Sequence, residues 1–154
     1  MAQRWLTGQD KDIPEQEQDG IIVTLDSTYQ NKPWELKATF QSSAKPIEEN
    51  VPWIRQLMAQ CYITGTKSAK LTRLEVMGNW RSVFGKKEEK ELEENRKPTL
   101  SAWSLEFTED ELMRNWEWLQ DRRDKFSGIL ASGKLLPKVV ATPSGQEWEC
   151  GRCA

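Results

Sequence analysis

The stretch from Gly20 to Phe40, GIIVTLDSTYQNKPWELKATF, constrains the fold more than any other part of the chain. Ile21-Ile22-Val23-Thr24-Leu25 is an apolar, β-branched run, and Pro33 to Phe40 is a second extended segment. Asp26 to Lys32, between them, is rich in turn formers, so two strands joined by a hairpin-like loop are expected. Alternation with period two puts Glu35 and Lys37 on one face of the second strand and Leu36 on the other. Asp26 ends the first strand and, if the two strands pair, converges with Glu35. Two carboxylates this close repel, and a hard divalent cation such as magnesium relieves that cost. A lysine beside them is placed to orient a water or to stabilise charge developing on a phosphate. Read from spacing alone, an exposed cross-strand ion pair is the commoner explanation of Glu35 and Lys37.

The remaining pattern extends this sheet. Pro46 to Thr64 reads as a helix with Val51, Ile54, Met58 and Cys61 at helical spacing and Gly65 at its end. Residues 69–78 alternate as a third strand, and Thr99 to Phe107 forms a fourth. Thr108 then caps a helix, Glu111 closes a capping box and Phe107 can staple to Leu112. A core-facing stripe follows at Leu112, Trp116, Leu119, Phe126 and Leu130, ending near Gly133. Lys86 to Lys97 is a block of mixed charge that reads as a solvated excursion. The order β-β-α-β-β-α predicts an α/β fold, a mixed sheet with helices packed on it.

Composition narrows the chemistry. The 154 residues suit one domain. Only 37% of them are hydrophobic, but eight Trp and four Phe enlarge the area available for a core. There is no histidine, which removes Ser-His-Asp and Cys-His catalysis, His-ligated zinc and HExxH hydrolysis. No stretch approaches the ~20 apolar residues of a membrane span, and the first 18 residues lack the apolar core of a signal peptide. No membrane association is expected. A cytoplasmic, reducing compartment is expected instead, with the three cysteines as thiols or metal ligands. A net charge of -2 gives no global footprint for nucleic acid, so such a role needs a local basic groove or a metal. Lys45, Arg55, Lys67, Lys70 and Arg73 are candidates for backbone contacts. Cys61 lies on an apolar stripe and reads as packing. Cys150-Gly151-Arg152-Cys153 reads as half a zinc site, an iron–sulfur fragment or a redox pair.

DGIIVTLD, nine residues from Asp26 to Glu35, and then ELKAT together resemble the core of PD-(D/E)XK nucleases. More narrowly the chain is similar to RecB-like exonucleases of phages and CRISPR systems. The downstream order agrees: a helix with Trp53 and Gln56, a strand ending at Gly78-Asn79-Trp80, a strand running into Phe107-Thr108, a Trp-rich helix, and Trp148-Glu149-Cys150 with Cys153.

The resemblance implies a restriction-endonuclease-like mixed β-sheet flanked by α-helices, and magnesium- or manganese-dependent hydrolysis of DNA in a prokaryotic or phage-infected cell. Asp26, Glu35 and the Leu36 carbonyl would hold the metal, Lys37 would act on the attacking water, and Gln56 would assist. Asp19 is an alternative first acid. Cys150 and Cys153 would belong to a 4Fe–4S cluster of a longer parent. Residues 1–19 then read as a polar arm, 20–134 as the nuclease core and 135–154 as a tail with a partial cysteine cluster. The family's Gln helix usually carries Tyr four residues on, where this chain has Gln60. An acid-bearing N-terminal helix and an early cysteine are also missing, so a piece of a longer protein is expected. Two other readings stand beside the nuclease: a non-catalytic nucleic-acid-binding remnant of the fold, and a small cytosolic protein-interaction module.

Overall fold

A computed structural model describes residues 13–40, 46–78 and 97–133. The chain opens with two tight hairpins in succession. β1 (Gln16–Gln18) pairs antiparallel with β2 (Ile21–Val23), and β3 (Ser27–Tyr29) pairs antiparallel with β4 (Lys32–Thr39). The first turn is Asp19-Gly20 at φ 54° and 69°, the second Gln30-Asn31 at 52° and 61°. Two consecutive left-handed residues twist a turn in the sense that antiparallel strands need. The sequence predicts a single hairpin with Asp26–Lys32 as its loop. In the structure that loop contains β3, which is the true partner of β4, while Ile21–Val23 turns back onto β1. Part of the expected N-terminal arm is therefore a strand.

The main sheet has the order β3-β4-β5-β6, with β5 at Ser68–Glu75 and β6 at Thr99–Glu106. β4 and β5 run parallel and the other pairs antiparallel, so the fold is mixed α/β. Parallel neighbours need a crossover, and α1 (Val51–Thr64) supplies it after a short 3-10 turn at Ile47–Glu49. Gly65 ends α1 at φ 67°, a left-handed cap that costs glycine little. Ala69 and Leu71 of β5 meet Leu57 and Cys61 of α1, together with Ile47 and Leu112. The register Glu35↔Leu71 and Lys37↔Arg73 puts Glu35 and Lys37 on that same helix-covered face.

α1 is enclosed on two sides. One side faces the sheet, while Ala59, Tyr62 and Ile63 pack with Val23 and Trp116. The expected stripe through Val51, Ile54, Met58 and Cys61 is consequently rotated: Leu57 and Cys61 are fully buried, Gln60 turns inward, and Val51 is exposed.

α2 (Glu109–Ser132) begins with the expected capping box, Thr108 accepting from the Glu111 N–H and Glu111 accepting from the Thr108 N–H. Leu112 and Trp116 are buried as the stripe predicts, but Phe126 and Leu130 are 61% and 69% exposed, because no described residue covers them. Trp116 stacks on Tyr62 at 4.6 Å between ring centroids. Among the described residues, no helix is long and apolar enough to cross a membrane.

Candidate functional site

Glu35 is 1% exposed, lying on β4 beneath α1. An isolated carboxylate buried there would be costly. Three donors meet it. Gln56 Nε2 donates to Oε1 at 2.8 Å, Gln60 Nε2 donates to Oε2 at 2.6 Å, and Lys37 Nζ lies 2.5 Å from Oε1. Lys37 also donates to Gln56 Oε1 at 2.8 Å, closing a ring of Glu35, Lys37 and Gln56. Residues four apart on a helix lie one above the other, so α1 presents both amides to one carboxylate. Gln60 Nε2 also donates to the Thr24 carbonyl at 3.0 Å. Both of its partners are acceptors, which sets the orientation of this amide and leaves Gln60 Oε1 buried without a donor among the described residues. Burial pushes the Glu35 pKa up from its ordinary 4.5. Hydrogen bonds from Lys37 and Gln60 and the Lys37 charge pull it back, while the Asp26 charge adds to the rise.

Asp26 sits where β3 leaves the ladder. The last β3–β4 pair is Ser27↔Trp34, and continuing that register puts Asp26 opposite Glu35 and Leu25 opposite Leu36. The Leu36 N–H instead donates to Asp26 Oδ2 at 3.0 Å, so a side chain stands in for the missing strand. In an extended strand the N–H and C=O of one residue point to the same edge. The Leu36 carbonyl thus opens toward the edge that carries Asp26. The Asp26 and Glu35 carboxylates and this carbonyl are hard oxygen donors, the type that magnesium and manganese take. The set has two carboxylates, and among the described residues no group of three or more His, Cys, Asp or Glu gathers at one point. Lys37 supplies the positive charge nearest to Glu35.

The structure thus brings Asp26, Glu35, Leu36, Lys37 and Gln56 together. Asp19 goes elsewhere. Its carboxylate accepts from Trp116 Nε1 and Gln120 Nε2, each at 2.9 Å, and its carbonyl accepts from Arg123. These bonds pin the first hairpin to α2. The residue that the sequence reading undervalues is Gln60. The helical wheel puts Gln60 on one face with Trp53 and Gln56, a face that on the sequence alone meets either substrate or water, and the departure from the family's Tyr left Gln60 without a role.

The other candidates divide. Cys150, Cys153, Lys45, Asn79, Trp80 and residues 86–96 of the charged block lie outside the described residues. Cys61 is fully buried, and burial pushes its thiol up, in keeping with packing. Arg73, expected on the surface, is 6% exposed, 3.6 Å from Glu75 and over the Trp103 ring, because its odd position in β5 points it under the helix layer. Lys67 pairs with Glu109 at 3.0 Å, and Lys70 lies over the Tyr29 ring at 3.6 Å. Arg55 lies over Trp118.

Comparison with protein-family models, curated proteins and solved structures returns no match.

Proposed function

We propose that the chain is a metal-dependent nuclease with a restriction-endonuclease-like core, hydrolysing DNA phosphodiesters at the Asp26–Glu35–Lys37 cluster. The observation that carries the reading is the convergence of that cluster: an acid at the strand break bonded to the β4 backbone, and a buried acid with a lysine two residues on, the last two held by one helix. Asp26, Glu35 and the Leu36 carbonyl are the groups that would hold magnesium or manganese. The ion, when bound, supplies Lewis-acid polarisation of the phosphate and a lowered pKa for an attacking water. Lys37 Nζ is placed to hold that water or the developing phosphate charge. Gln56 positions both Lys37 and Glu35, since its amide bonds to each. Gln60 holds Glu35 against Thr24. Support for exonuclease action, and for a 4Fe–4S cluster involving Cys150 and Cys153 in a longer parent, is confined to the resemblance in sequence order.

Purified protein with magnesium or manganese is expected to degrade linear DNA. Lys37→Ala should abolish turnover while the circular dichroism spectrum stays that of the folded protein, with the urea midpoint lowered because Glu35 loses its counter-charge. Full activity in that variant would reject the site. One observation favours a second reading, a nucleic-acid-binding remnant: both Glu35 oxygens are already met by protein donors. That reading is the one selected if DNA binds but is not cleaved with either metal.

A further inference from the structure

Arg55 lies one position before Gln56 on α1, so the helix turns it about 100° away from the carboxylates and toward α2. Its guanidinium lies 3.7 Å from the centroid of the Trp118 ring, and Arg122 lies 5.9 Å from the same ring. The backbone beneath it is held as well: Asn115, 5% exposed, donates Nδ2–H to the Arg55 carbonyl at 3.0 Å. Other basic residues of the sheet and of α2 have different engagements. Lys67 is paired with Glu109, Arg73 with Glu75, and Arg114 with Asp110. Among the described residues, no carboxylate lies within ion-pair distance of Arg55.

A guanidinium held over an indole face loses rotamer freedom but keeps N–H groups that make paired bonds to phosphate oxygens. We infer that Arg55, held by Trp118, is a phosphate-binding residue for the nucleic-acid backbone entering the Asp26–Glu35–Lys37 site. The inference rests on the hydrolase reading for the identity of the anion as a phosphodiester. Arg55 touches neither carboxylate, so its role is grip on the strand next to the scissile bond and not chemistry. Trp118 is a positioning residue, acting through Arg55.

The experiment measures fluorescence anisotropy of a short labelled DNA oligonucleotide, single-stranded and duplex, with the full chain in EDTA over a range of salt concentrations. Arg55→Gln is expected to weaken binding about tenfold near 0.1 M salt and to make the log–log salt slope shallower by about 1. Arg55→Lys keeps the charge but loses the planar fork of N–H donors, so it should retain the slope and recover part of the affinity. Arg114→Gln removes the same charge from an ion-paired surface position and should leave both quantities unchanged. In turnover assays Arg55→Gln should raise KM and leave kcat near wild type. Circular dichroism separates a folded variant from an unfolded one, and Arg55→Lys carries the test if Arg55→Gln unfolds.

Wild-type affinity and slope in Arg55→Gln would overturn the inference and leave the hydrolase reading intact, as would an equal loss in Arg114→Gln. Absence of DNA binding by the wild type overturns it outright. Arg55-dependent binding without cleavage sustains the phosphate contact and rejects the hydrolase reading alone.

Discussion

Gln60→Leu removes a side chain of nearly the same shape whose Nε2 serves two buried acceptors, Glu35 Oε2 at 2.6 Å and the Thr24 carbonyl at 3.0 Å. Leucine fills the space, so little cavity forms and the loss is polar. Leaving a buried acceptor without its donor costs about 1–3 kcal/mol, with charged groups at or above the upper end. Lys37 and Gln56 still hold Oε1, which limits the loss, so about 2–4 kcal/mol of destabilisation is expected near pH 7. The sign of the pH dependence follows from Glu35. Its folded pKa already lies above 4.5 and would rise further without the Gln60 bond. A raised carboxylate pKa gives stability that is full below the unfolded value and is lost as pH rises through the folded one. The Gln60→Leu penalty should therefore be larger near pH 7 than near pH 4, where Glu35 takes up a proton. Urea unfolding of both proteins at the two pH values measures it, with an unchanged slope m confirming the same transition. A penalty of equal size at both pH values, or one below about 0.5 kcal/mol near pH 7, would refute the claim that Gln60 holds a buried charge.

Further outcomes follow from neighbouring groups. Asp26→Asn should abolish DNA degradation, whereas Asp19→Asn, which keeps an acceptor for Trp116 and Gln120, should leave kcat unchanged; comparing turnover of the two variants identifies the first acid. Thr108→Ala removes the cap of α2 and should lower stability by about 1 kcal/mol in urea unfolding. Bonds from the Thr108 N–H and hydroxyl hold the Glu111 carboxyl below its ordinary range. The cap's contribution should therefore be present at neutral pH and fade as pH falls through the folded pKa, and Glu111→Gln should flatten that part of a stability–pH curve.

What could be read in the sequence was local. Thr108, Glu111 and Phe107 specify the start of α2 within five residues, and Gly65 and Gly133 mark the helix ends with left-handed φ of 67° and 65°. Period two placed Glu35 and Lys37 on one face, and the structure has them there. What escaped depended on neighbours distant in sequence. Gln16–Gln18 has no strand propensity, and its pairing follows from the Asp19-Gly20 turn and the grip of Asp19 on α2. Ser27–Tyr29 is too short to stand out between turn formers, and Gln30 is an unusual residue for a left-handed φ of 52°. Gln60 shares a second helix face with Gln56, and the wheel alone leaves that face open to substrate or water. Packing against both the sheet and α2 turns it inward instead, onto a carboxylate. Phe126 and Leu130 fit the stripe of α2 in sequence, yet the described body ends before reaching them.

The central claim is that the oxygens of Asp26, Glu35 and Leu36 form one cation site on the edge of β4. A thermal-shift titration with manganese tests it directly on wild type, Lys37→Ala and Asp26→Asn. The wild type and Lys37→Ala should gain melting temperature with rising manganese, and Asp26→Asn should not. An absence of any shift in the wild type, or an equal gain in Asp26→Asn, would contradict the site.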